Sequence, residues 1–126
     1  MDSNATIRSY KDLIAWQKSV DLIEAVYVVT RGWPKEEIYG LTLQVRRAAV
    51  SVSSNIAEGQ GRGAIREFIH HLRIARGSLF EVEAQLIISR RLGYIDPGQI
   101  KALLTQVAEM SKLLSGLLRS LSEAST

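Results

Sequence analysis

Apolar residues recur every three or four positions along four runs of this chain, and short breaks separate the runs. That period belongs to helices; no run alternates with period two and no hairpin signal appears. In the second run Leu41, Val45, Ala48, Val52 and Ile56 form an apolar stripe. About a third of a turn away, Gln44, Arg47, Ser51, Ser54, Asn55 and Glu58 form a stripe of hydrogen-bonding side chains. A helix with one oil face and one continuous polar face is built to meet two partners.

The first run covers about residues 11–30, with Leu13, Trp16, Val20, Ile23 and Tyr27 as its main stripe. Gly32 and the Trp33-Pro34 pair end it, because proline disfavours helix in the residue before it. Pro34 suits the opening of the second helix, and Glu36 and Glu37 favour its positive end; that helix is expected to reach Glu58. Gly59, Gly61 and Gly63 predict a break, each glycine costing roughly 1 kcal/mol in a helix interior. The third helix is expected from Ala64 to Leu92, over about 40 Å long, with Ile65, Phe68, Leu72, Ala75, Leu79, Val82 and Leu86 as its seam. Gly93 predicts its C-terminal cap, with Arg90 and Arg91 favouring the negative end of the dipole. Asp96-Pro97 opens the fourth, whose stripe is Ile100, Leu103, Val107, Met110, Leu114, Leu117 and Leu121.

Four long helices with short connections predict an all-α fold, an antiparallel up-down-up-down four-helix bundle over residues 10–122. Residues 1–9 and 123–126 are expected to be flexible termini. A length of 126 residues fits one domain, and 46% apolar residues are too many for a disordered chain. The absence of cysteine excludes disulfides and thiolate metal sites. With no export signal and no apolar run near the ~20 residues a membrane helix needs, a soluble cytoplasmic protein is expected. Ile14, Leu22, Ala25, Val28 and Val29 in the first helix, and Ile69, Phe80 and Ile87 in the third, exceed what one core face requires. Either the core face is wide or the chain self-associates, and self-association is the favoured reading.

The net charge of +3 is unevenly placed. From Arg46 to Arg91 there are eight arginines, no lysine and four glutamates, a local +4. On the third helix Arg66, Arg73 and Arg91 fall on nearly one line, flanked by Arg76 and led by Arg62. Such a stripe suits a phosphate backbone, or ion pairs with neighbouring subunits. In the second helix Arg47, Ser51, Asn55 and Glu58 either line a partner groove or pore, or satisfy one another and nearby helix ends; the structural role is favoured.

Catalysis finds no foothold in the spacing. The Gly59–Gly63 turn resembles a phosphate cradle in glycine count alone, without the preceding strand or the Lys-Ser/Thr that a P-loop needs. Glu67 and His70 have Glu-x-x-His spacing, but His70 and His71 are the only histidines, so a metal would have to be assembled between subunits. Ser51, Ser53 and Ser54 have no activating base in register. A non-enzyme without cofactor or resident metal is expected.

Several motifs together resemble a known family. Tyr10-Lys11-Asp12-Leu13-Ile14-Ala15-Trp16-Gln17-Lys18, the Trp33–Leu41 segment, Ser54-Asn55-Ile56-Ala57-Glu58-Gly59, Arg76-Gly77-Ser78-Leu79-Phe80-Glu81 and Leu92-Gly93-Tyr94-Ile95 are similar to the bacterial four-helix bundles encoded by intervening sequences in 23S ribosomal RNA genes. The resemblance covers about residues 10–95. It implies a ring-like homopentamer, related to basic accessory proteins of diversity-generating retroelements that associate with a reverse transcriptase and nucleic acid; it implies no settled activity. Two departures stand out. Ser53 replaces a frequent proline, so the second helix is expected to run straighter, and Ala64 replaces a serine that would form a capping box with Glu67. The expected function is a homo-oligomeric interaction module meeting RNA, DNA or a nucleic-acid enzyme through the Arg62, Arg66, Arg73, Arg76 and Arg91 surface. The alternative is a structural or protein-binding adaptor with no nucleic-acid role. No membrane contact is expected.

Overall fold

The computed structural model describes residues 9–124. Four helices carry them: α1 (Ile14–Thr30), α2 (Leu41–Gly61), α3 (Ile65–Arg91) and α4 (Pro97–Ala124). Each packs against its neighbours in the chain and α1 closes against α4, while the diagonal pairs make no extensive contact. The result is the expected up-down-up-down bundle. The α2–α3 pair is the most extensive of the four interfaces.

Local chemistry accounts for the helix ends. Gly93 takes φ +81, and Tyr94 N–H and Gly93 N–H donate to the Ser89 and Arg90 carbonyls at 2.9 and 3.1 Å, a Schellman closure of α3. Asp96 accepts from Gln99 N–H at 2.8 Å while Gln99 accepts from Asp96 N–H at 3.2 Å, the reciprocal box that starts α4. Ala64 makes no side-chain cap at the start of α3. Helix α2 runs uninterrupted through Ser53.

Three expected helix boundaries change. The first helix is preceded by a separate 3-10 turn, Tyr10–Asp12, closed by a Ser9–Asp12 capping box, and Leu13 is extended before α1 begins. Pro34 likewise precedes only a short 3-10 turn, Lys35–Glu37. Gly40, at φ −107 and ψ −119, separates that turn from α2, and the Glu37 carboxylate accepts the Leu41 N–H at 3.0 Å in place of a cap at Gly40. At the other end α2 continues through Gly59 and Gly61, and the chain turns only at Gly63 (φ +78). Gly59 is buried where α2 meets α3: a Cβ there would lie 2.7 Å from His71 Cβ and 3.1 Å from Phe68 Cδ1. It therefore permits close helix approach rather than ending the helix.

The core stripes of α2 and α3 fall where the periodicity places them, except that Ile65 is exposed and Leu41 and Phe68 are half-buried. In α4 the inward residue near the C-terminus is Leu118 rather than Leu117. In α1 the buried face is Ala15, Ser19, Leu22, Val26 and Thr30, about one residue out of phase with the expected stripe. Ser19 and Thr30 are tolerated inside because their hydroxyls donate to the Trp16 and Val26 carbonyls, at 2.5 and 2.7 Å. Ser9 caps the first turn, and Glu123 and Ala124 remain within α4; the expectations for residues 1–8 and 125–126 lie outside the described residues. No described helix is long and apolar enough to cross a membrane.

Candidate functional site

Helix α3 has two working faces. Its inward seam fills the core, while Arg66, Arg73, Arg76, Phe80, Ile87 and Arg91 share a flanking side at helical spacing, with Ile69 at its edge packed against the core. Arg66, Arg73 and Arg91 are exposed and Arg76 is half-buried. No carboxylate pairs with any of these four among the described residues. From Arg66 to Arg91 the row extends about 37 Å at a rise of ~1.5 Å per residue. Arg66 and Arg73, with Ile69 and His70, line a shallow groove of about 520 Å³. The row mixes charge with oil: Phe80 is 55% and Ile87 47% exposed.

Arg62 stands apart from that row. It follows the last residue of α2, and its guanidinium donates to Glu58 at 3.0 Å, an i,i+4 ion pair. The bond from Arg62, followed by the charge of His71, holds the Glu58 carboxyl below its ordinary value.

The polar stripe of α2 is largely turned to α3. Ser51 Oγ and Ser78 Oγ are 2.8 Å apart. Asn55 Nδ2 donates to the Ser51 carbonyl at 2.9 Å, and Asn55 Oδ1 lies 3.1 Å from His71 Nδ1. Glu58 approaches the same ring nitrogen at 4.0 Å. A chain of polar contacts thus runs between α2 and α3 beside the core. These hydroxyls and amides meet one another and the backbone; Ser51 has serine and asparagine beside it, neither of them a general base. Arg47 is exposed, makes no such contact, and lines open grooves instead.

Glu67 and His70 gain no third ligand: among the described residues no three His, Cys, Asp or Glu side chains cluster as a metal site. His70 contacts His71 edge to face, with centroids 5.3 Å apart.

Sequence reasoning missed a second surface. Tyr27 of α1, Ile38 and Tyr39 of the connection, and Leu43 and Val50 of α2 line an open groove of about 840 Å³ with Arg46 and Arg47. Tyr39 is 88% exposed. Arg46 is held in place: its Nε–H donates to Thr30 Oγ1 at 2.8 Å and its guanidinium sits 4.5 Å from the Tyr27 ring centre. The available signal was the Ile38-Tyr39 pair, too apolar for a connection with nothing to cover it.

A family model described as 23S rRNA-intervening sequence protein matches residues 11–116. Among solved structures, a protein of unknown function from the S23 ribosomal protein family of Bacteroides thetaiotaomicron superposes with a TM-score of 0.77. It is 24% identical, and the match covers 86% of this chain and 98% of that one, a likeness of fold. No curated protein matches the chain. Since the family model covers most of the sequence and the fold agrees, the chain belongs to the 23S rRNA-intervening sequence protein family.

Proposed function

We propose that this protein is a non-enzymatic, self-associating interaction module of the cytoplasm that presents the α3 arginine row to RNA or DNA, or to an enzyme working on them. The observation that carries the reading is the row itself: Arg66, Arg73, Arg76 and Arg91 stand on one face of a rigid helix without carboxylate partners among the described residues. Guanidinium groups spaced along a straight rod suit phosphates, which bind by charge with little regard to sequence. Assembly into a homo-oligomer, a pentamer by family resemblance, would repeat the row and add avidity. Exposed Ile14 and Val28 on α1, 61% and 59% accessible, offer apolar surface for that assembly.

The test is salt-dependent binding of a labelled RNA and a DNA of the same sequence. Arg66→Glu with Arg73→Glu should reduce affinity at least tenfold and lower the salt slope by about 2, roughly one unit for each phosphate no longer neutralised. Unchanged affinity and slope in a folded double variant would remove the row from function. A second reading, a protein-binding adaptor with no nucleic-acid role, is favoured by Phe80 and Ile87, because arginine mixed with exposed aromatic and aliphatic residues is the composition of protein interfaces. That reading expects no retention of either nucleic acid by the unmodified protein.

A further inference from the structure

The groove beside Arg46 lies on α1, α2 and their connection, away from the arginine row, and its chemistry differs. Most of its lining is apolar: Tyr27, Ile38, Tyr39, Leu43 and Val50. Its charge has one sign. No aspartate or glutamate lines it, and none lines the hollow of about 320 Å³ that adjoins it at Arg46, where Arg31 and Lys35 stand; Glu81 lines the hollow that adjoins it on the other side, at Arg47 and Ser51. The nearby Glu37 is committed elsewhere, to Leu41 N–H and the Tyr94 hydroxyl.

Arg46 is the informative residue. A solvent-facing arginine ordinarily loses side-chain entropy when it takes a partner. Here the Thr30 hydroxyl and the Tyr27 ring already fix the guanidinium, while its terminal nitrogens make no hydrogen bond among the described residues. Preorganised donors without an acceptor, beside exposed Tyr39 and Val50, make a receptor for a carboxylate on an apolar body. The length is also informative. Along α2 the groove runs from Leu43 to Ser54, about 17 Å at helical rise, or three turns of a facing helix. A nucleic acid fits less well: Ile38, Leu43 and Val50 give a base no ring to stack on, and Tyr27 already has a guanidinium over its ring.

We propose that this groove docks an acidic amphipathic helix of a partner protein, with apolar residues against Ile38, Tyr39, Leu43 and Val50 and carboxylates on Arg46 and Arg47. This site is independent of the α3 row, so either can fail alone.

The probe is a phage-displayed library of random peptides of about twelve residues, panned on the full-length protein. Enriched peptides are then synthesised with a fluorophore and titrated by anisotropy. Enriched sequences should carry apolar residues at i, i+3 or i+4, and i+7, with Asp or Glu beside them. Tyr39→Ala and Arg47→Glu should each weaken binding by about tenfold or more, as truncating an interface anchor does, whereas Arg66→Glu with Arg73→Glu should leave it unchanged. Both side chains are exposed, so the folds should survive, and circular dichroism verifies that. No enrichment, enrichment of neutral or basic peptides, or equal binding to the variants would overturn the proposal. A fall in native mass with Tyr39→Ala would overturn it in favour of a second copy of this chain, and photo-crosslinking of RNA to Tyr39 would overturn it in favour of nucleic acid.

Discussion

Glu37 ties together two connections 57 residues apart. Its carboxylate accepts the Leu41 N–H at 3.0 Å, which starts α2, and the Tyr94 hydroxyl at 2.8 Å, which reaches over from the α3–α4 connection. Trp33 and Tyr94 meet at the same end with ring centres 6.0 Å apart. The Leu41 bond, then the Tyr94 bond, holds the Glu37 carboxyl below its ordinary 4.5, and the bond to Glu37 pushes the Tyr94 hydroxyl upward. A lowered folded-state value means that the stabilisation is present above the ordinary glutamate value and is lost as pH falls through the folded one. Glu37→Gln should therefore lower the melting temperature at pH 7 and matter progressively less as the pH is taken below 4.5; melts across that range read the difference directly. Residues that act on near neighbours were legible from the sequence: Gly93 and Asp96 cap helices within a few positions of themselves. The Glu37–Tyr94 bond was not, because nothing local in either segment names the other.

At the scale of the element, legibility followed the contrast around each helix. Helices α2 and α3 carry distinct polar faces, so their core seams could be read almost residue by residue. Helix α1 is apolar around much of its circumference, and period alone left its phase about one residue out. The glycines show the same limit. Composition cannot separate a glycine that breaks a helix from one that lets another helix approach, and Gly59 is the second kind. Gly59→Ala should destabilise by about 1–3 kcal/mol, since the new methyl is driven into His71 Cβ and Phe68. Gly77, midway along α3, has open space where a methyl would stand, with no atom within 4 Å, and should respond the other way: Gly77→Ala should stabilise by up to about 1 kcal/mol. Urea denaturation of the two variants gives opposite shifts in midpoint if the α2–α3 crossing is as close as the structure has it.

For the whole molecule, four periodic runs with short connections left one simple topology, and the bundle has it. The surfaces were only half legible. The arginine row was visible because its members share one helix; Arg62 looked like its leader because a bond to Glu58 cannot be seen in spacing. The groove beside Arg46 was invisible because α1, the connection and α2 each supply part of it. Apolar residues remain outside on α1 and on the arginine face of α3, where Ile14, Val28, Phe80 and Ile87 are 47–61% exposed. The proposed self-association would cover that surface, and the avidity proposed for the arginine row rests on it. Native mass, measured by light scattering on a sizing column at moderate salt, tests this most directly. A mass near five times the 14.0 kDa chain is expected. A single chain at micromolar concentration would contradict it, leaving one arginine row per particle and no ring to multiply it.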